Sequence, residues 1–238
     1  MKLVEQFIEV AKKQPKKIVL PEGKDERMVQ AAIRLVKEGI CQPILIGNAD
    51  TIQELAKGES LAGVQILDPK QEEDKICHFA SLYAMDRDVE VGTAKRLVKR
   101  DLMFGAMMLR DGEADGMVAG VSKATAQVIS AAALCIGFEE GISQASSFFL
   151  MVMPDDRVYT FADSAVVIDP NARELAEIAV TTAANAKKLL QRDPKVAMLS
   201  FSTKGSAQHE KVDKVREATE IAKEMAPNLE IDGEFQLD

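Results

Sequence analysis

Apolar residues recur at Leu3, Val4, Phe7, Ile8 and Ala11, the spacing of one helix face. The β-branched run Lys17-Ile18-Val19-Leu20 follows as a buried strand, closed by the turn signal Pro21-Glu22-Gly23. Val29, Ala32, Ile33 and Val36 mark a second amphipathic helix, which Gly39 ends before the short apolar run Pro43 to Ile46 and the turn Gly47-Asn48. The alternation continues through a helix near Thr51 to Lys57, a strand at Val64 to Leu67 and a long helical region from Glu72 to Gly112. Beyond Asp115, Gly116 to Gly120 reads as a short buried strand, and Thr125 to Ile136 as a helix almost without charge. Such a helix needs cover on most sides.

Ser146 to Met153 is the most apolar strand of the chain, and Pro154-Asp155-Asp156 turns it into Val158 to Phe161 as a hairpin. Asp169-Pro170 reads as an N-cap followed by proline at the first helical position, opening a helix that runs to about Leu190. Val196 to Phe201 supplies a strand, Lys211 to Met225 a helix and Leu229 to Asp232 a last short strand. The whole pattern predicts an α/β protein with mostly parallel sheets and helices on both faces. No repeat or low-complexity linker interrupts it. The loop from Gly137 to Ser143 is expected to divide it into a first α/β domain, residues 1–142, and a second, residues 143–238.

Composition narrows the function classes. The 238 residues are 47% hydrophobic, enough for one large core or two modest ones, so disorder is excluded. A formal net charge of −8 disfavours a surface that tracks nucleic-acid phosphates. Cys41, Cys77 and Cys135 are odd in number and widely spaced, which argues against a disulfide framework and a thiolate zinc site and fits a reducing cytoplasm. No stretch approaches the ~20 apolar residues of a membrane span. His78 and His209 stand outside any metal-binding spacing, so no metal site is expected.

The sharpest chemical signal is Ser200-Phe201-Ser202-Thr203-Lys204-Gly205-Ser206, which leaves a strand end with hydroxyls, a cation and a glycine close together. Open α/β sheets bind ligands at the carboxyl ends of their strands, where loop N–H groups, hydroxyls and a lysine can surround an anion. The spacing is not that of a P-loop, and the composition suits an ordinary polar strand-to-helix loop equally well. Gly120-Val121-Ser122-Lys123-Ala124-Thr125 is a second strand end whose small residues would let a ligand approach the backbone, although Thr125 also suits an N-cap. Glu22, Asp163 and Ser164 follow strands too, where turn chemistry explains them better than a role as general base. The absence of a Gly-x-Gly-x-x-Gly fingerprint leaves a nicotinamide dinucleotide without support.

Taken in order, several blocks together resemble the phosphate acetyltransferase family. They are Leu20-Pro21-Glu22-Gly23, Phe104 to Met108, Ala114 to Gly120, Ser146 to Met151, Phe161-Ala162-Asp163, Val196 to Ser206, Val212 to Val215 and Ile231-Asp232-Gly233-Glu234. The resemblance spans nearly the whole chain. It implies two α/β domains with a cleft between them, a homodimer, and transfer of an acetyl group between coenzyme A and inorganic phosphate. Acetyl-CoA, phosphate and acetyl phosphate would be the ligands, with coenzyme A as substrate and no tightly bound cofactor. A thiol with a pKa near ~8.5 must become a thiolate in that reaction, and donors and cations must meet the phosphate charge.

The resemblance further implies that Thr125, Ser202, Thr203, Lys204, Gly205 and Ser206 line the cleft in binding roles. In the family, the proposed base and principal arginine lie in a Ser-Arg-Gly-Cys segment followed by Asp, and that pattern has no match up to Asp238, so the resemblance implies a second domain incomplete at its C-terminus. Ser130 stands where many members carry an arginine. The expectation is poor transfer by the 238 residues alone and an active complete enzyme. Phosphate butyryltransferase is the close alternative. A silent phosphotransacetylase-like module that binds an acetylated metabolite is the alternative from another class.

Overall fold

The structure, a computed structural model, describes residues 2–237, which fall into two compact units divided between Gly137 and Phe138. In the first unit the order is α1 (Lys2–Lys13), β1 (Lys17–Leu20), α2 (Glu26–Lys37), β2 (Gln42–Ile46), α3 (Ala49–Leu55), β3 (Gln65–Leu67), α4 (Glu73–Arg87), α5 (Val91–Val98), α6 (Asp101–Arg110), β4 (Gly116–Met117) and α7 (Thr125–Cys135). The strands form a parallel sheet in the order β3-β2-β1-β4.

Side chains alternate across this sheet, as the pleat requires. Val19, Ile44 and Ile46 enter a core with α4 to α7, while Leu20 and Leu45 enter another with α2 and α3. Burial on both faces explains why these strands read as continuous apolar runs rather than alternating ones. The first unit therefore carries helices on both faces of a parallel sheet.

The long helical region expected from Glu72 to Gly112 is instead three helices. Asp88 adopts a left-handed conformation, φ 49°, and caps α4 by donating its N–H to Ala84 O. A second break separates Val98 from Asp101, with Arg100 extended at the start of α6. The turns let the chain fold back, so that Phe79 of α4 and Phe104 of α6 meet edge to face at 5.4 Å. Continuous apolar spacing concealed them.

Helix α7 departs from expectation in another way. Ala131 and Cys135 are buried, whereas Leu134 and Ile136 are exposed, so the described residues leave much of this uncharged helix uncovered. Its last carbonyls are met from outside the helix: Arg87 donates Nε to Leu134 O at 2.9 Å and Nη2 to Ala133 O at 2.6 Å. A guanidinium at a helix C-terminus also suits the negative end of the helix dipole.

The second unit contains β5 (Phe148–Val152), β6 (Val158–Ala162), α8 (Ala172–Leu190), β7 (Lys195–Leu199), α9 (Glu210–Met225) and β8 (Glu230–Phe235). Strands β7 and β8 pair in parallel, and α8 and α9 pack onto one of their faces through Ala176, Ala179, Met198, Val215, Ala218 and Ile231. Among the described residues the other face, with Ala197 and Leu199, stays exposed. The expected hairpin forms from β5 and β6. One of its faces carries Phe149, Met151, Tyr159 and Phe161, with Phe149 55% and Phe161 42% exposed.

Asp169 does not cap α8. The cap is Asn171, which accepts from Glu174 N while the Glu174 carboxylate accepts from Asn171 N. Asp169 pairs instead with Lys211 and Lys214 of α9. The carboxylate at the end of the hairpin has a firmer role. Asp163 accepts hydrogen bonds from Ser147 N (2.8 Å), Ser147 Oγ (2.7 Å), Ala165 N (2.8 Å) and Val166 N (2.9 Å). Burial pushes its pKa up, but the donors from Val166 and Ser147 outweigh that and bring it down to about 2.

Two outcomes follow from these contacts. Alanine in a helix interior normally stabilises by about 1 kcal/mol relative to glycine, but a Cβ at Gly105 would stand 2.9 Å from Val19 Cγ1 and 3.0 Å from Met117 Sδ. Overpacking of a core typically costs about 1–3 kcal/mol, and Val19 is stiff at χ1, so Gly105→Ala should lower the melting temperature. A raised one would show that the helix has room to shift. For Asp163, whose folded pKa is depressed, the stabilisation is complete above the unfolded value near ~3.9 and fades as the pH falls towards 2. Asp163→Asn should therefore cost about 2 kcal/mol at neutral pH, with the gap to the parent closing between about pH 4 and 2 in denaturant titrations. A pH-independent gap would contradict the assignment.

Candidate functional site

The loop that follows β7 is built around one carboxylate. Parallel β8 runs beside β7 and delivers Glu234, 2% exposed, beneath Ser202 to Ser206. Its Oε1 accepts from Gly205 N at 2.8 Å, Ser202 Oγ at 3.0 Å and Arg216 Nη2 at 3.1 Å, and its Oε2 accepts from Arg216 Nε at 3.1 Å. The Lys204 N–H donates to the Glu234 backbone carbonyl at 3.1 Å. Lys204 and Gly205 are both left-handed, φ 45° and 89°; the Gly205 N–H turns to the Glu234 carboxylate, whereas the N–H groups of Lys204 and Ser206 turn to the backbone carbonyls of Glu234 and Thr203. The remaining hydroxyls close the loop: Ser206 Oγ accepts from Thr203 N at 2.9 Å, and Ser202 Oγ accepts from Ala207 N at 3.1 Å.

Five of the residues singled out from sequence, Ser202, Thr203, Lys204, Gly205 and Ser206, are thus brought together by their own hydrogen bonds. Arg216, donating hydrogen bonds, holds the Glu234 carboxyl down to about 2, with further help from Gly205 N. Glu234 is therefore an ionised, saturated acceptor at neutral pH and unsuited to take a proton from a thiol. The Lys204 ammonium donates to Asp232 Oδ1 at 2.6 Å and Gly233 O at 2.8 Å and lies 5.1 Å from the Phe235 ring centroid. This pairing depresses the Asp232 pKa and leaves the Lys204 side chain half exposed. Beside the loop, a cavity of about 550 Å³ is lined by Lys204, Gly205, Gln208, Arg216, Glu220, Gly233 and Glu234.

The second loop proposed from sequence has the same construction. Glu22, 4% exposed, accepts from the N–H groups of Gly120 (2.6 Å), Val121 (2.9 Å), Ser122 (2.6 Å) and Lys123 (2.8 Å) and from Ser122 Oγ (2.8 Å). Burial raises its pKa, but the donors from Ser122 and Val121 win and the net shift is downward. The backbone donors that looked open to a ligand are occupied by the chain's own carboxylate. Thr125 lies in the first unit, exposed, as the first residue of α7. The N-cap is Ala124, not Thr125, and the side chain there is Gln127, whose Oε1 accepts from Ala124 N at 3.2 Å. Ser130 is exposed on the same helix.

Both histidines have structural partners. His78 Nε2 lies 2.9 Å from Asp111 Oδ1, and His209 Nδ1 accepts from Lys211 N at 3.1 Å to cap α9. Among the described residues no group of three His, Cys, Asp or Glu side chains is placed to hold a metal ion. Sequence reasoning did not anticipate Arg216 or the use of Glu234. The signal was the Asp232-Gly233-Glu234 block itself: a Cβ on Gly233 would stand 2.6 Å from Met198 Cβ and 2.9 Å from Met198 O, so only glycine lets β8 lie close enough to β7 to place the carboxylate.

Comparison with known proteins gives a consistent result. The family model described as phosphate acetyl/butaryl transferase matches residues 2–238. A phosphate acetyltransferase of Thermoanaerobacterium thermosaccharolyticum is 45% identical over 245 aligned residues, covering 100% of this chain and 75% of that protein. One from Acetivibrio thermocellus is 40% identical, with 100% and 74% covered. A crystal structure of a phosphotransacetylase from Streptococcus pyogenes superposes with a TM-score of 0.91 at 41% identity, covering 100% of this chain and 73% of that one. With the family pattern running from residue 2 through both units and the same fold in a relative of this identity, the chain belongs to the phosphate acetyl/butaryl transferase family.

Proposed function

We propose that the protein carrying this chain transfers an acetyl group between coenzyme A and inorganic phosphate, with acetyl-CoA, phosphate and acetyl phosphate as its ligands. The observation that carries the reading is the 45% and 40% identity, along the entire chain, to proteins named phosphate acetyltransferase. The site chemistry is compatible with it. Attack of a thiolate on an acyl phosphate needs positioning and cations more than a cofactor, and coenzyme A enters as a substrate.

Within this reading the residues have distinct roles. Lys204 supplies a cation whose charge is shared with Asp232 but which remains half exposed and so can reach a ligand. Thr203 is exposed beside it, with Oγ1 accepting from Gln236 N at 2.9 Å. Glu22, Asp163 and Glu234 are poorly suited to act as general bases, because donors surround each carboxylate and hold its pKa below the ordinary range. Their work is to hold loops.

The test is thioester formation from acetyl phosphate and coenzyme A by the protein that carries this sequence. Turnover supports the proposal, and its absence in both directions of the reaction overturns it. Lys204→Ala should raise the KM for a phosphorylated substrate by about tenfold while leaving the melting temperature close to the parent's, since an exposed ion pair is worth only about 0–1 kcal/mol. Unchanged kinetics would remove Lys204 from the site.

A further inference from the structure

We propose that Glu234 serves as a built-in anion: it fills a site that Gly205 N–H, the Ser202 hydroxyl and the Arg216 guanidinium would otherwise offer to a small anion, and it is a positioning residue for the Ser202–Ser206 loop. This rests on the reading of that loop as part of the acyl-transfer site. The donor set is of the kind that holds phosphate or carboxylate elsewhere: a backbone N–H at a left-handed glycine, a hydroxyl and a planar cationic fork. All of it converges on one side chain, with Arg216 Nε and Nη2 on separate carboxylate oxygens and two further donors on Oε1.

Two features show that the arrangement is built rather than incidental. Glu234 is 2% exposed although it borders the cavity of about 550 Å³, so its charge is solvated by these donors and not by water. The backbone of the same residue accepts from Lys204 N at 3.1 Å, which ties the loop to β8 twice, through carbonyl and carboxylate. An incoming phosphate would meet a buried negative charge at this point. The loop therefore contributes shape, Lys204 and Thr203 to the site, and the donors held by Glu234 are closed to substrate.

Removing the side chain should free these donors. Glu234→Ala leaves Arg216, Gly205 N–H and Ser202 Oγ around a vacancy that formate fits. The prediction is a KM for acetyl phosphate raised about tenfold with kcat changed less, and a melting temperature that rises on adding millimolar formate together with recovery of KM. The parent should show no formate response, and neither should Glu234→Gln, whose amide still fills the space but loses the charge and raises KM. A loop held merely by packing would not recover with formate. If Glu234→Ala folds only with formate, the proposal is supported; if it folds in neither condition, Glu234→Gln decides, with a raised KM supporting the proposal and the parent's KM overturning it. A folded Glu234→Ala that ignores formate, or retains the parent's KM, also overturns it. Should the parent form no thioester at all, the functional reading fails, while the formate-dependent melting of Glu234→Ala still reports on the donor set.

Discussion

Internal carboxylates that saturate the donors of strand-end loops are the interaction on which this structure depends. Where a strand ends, the backbone leaves the ladder with its N–H groups unpaired, and burying them without partners would cost about 1–3 kcal/mol each. Glu22 meets the donors of residues 120–123, Asp163 those of Ser147, Ala165 and Val166, and Glu234 those of Ser202 and Gly205. Glu177 does the same for Ser143, accepting from its N at 3.0 Å and its Oγ at 2.7 Å. In each case the donors outweigh or match the cost of burial, and the carboxyl titrates below its ordinary range.

This construction sets what the loops can do. A loop whose donors are committed internally is rigid before any ligand arrives, which lowers the ordering cost of binding. It cannot also use those donors on a phosphate. Under the proposed function, recognition would fall to side chains presented on this frame, such as Lys204 and Thr203. Rigid strand-end frames with a few outward polar groups are the general way α/β sheets make sites.

Much of the fold was legible because hydrophobic periodicity encodes it directly. The runs Lys17 to Leu20 and Pro43 to Ile46, buried on both faces, announced a parallel sheet, and Pro154-Asp155-Asp156 announced the hairpin. The break at Asp88 was not legible, because a left-handed aspartate looks like any other helical-region residue in sequence. Nor was the cover of α7, since an uncharged helix signals a need for burial without saying what meets it. The loop at Ser202 to Ser206 was found by its composition. Its organiser was missed because Glu234 lies about thirty residues away and only the β7–β8 pairing brings them together. Long-range pairing of this sort leaves no local pattern.

The central claim is that these carboxylates are ionised because loop donors surround them, and the direct measurement is the carboxyl titration of Glu22, Asp163 and Glu234 followed by carbon-13 NMR. The account predicts that Asp163 and Glu234 titrate near 2 and that Glu22 titrates below the ordinary glutamate value. Titration of any of the three at or above its ordinary value, about 3.9 for Asp or 4.3 for Glu, in the folded protein would contradict it.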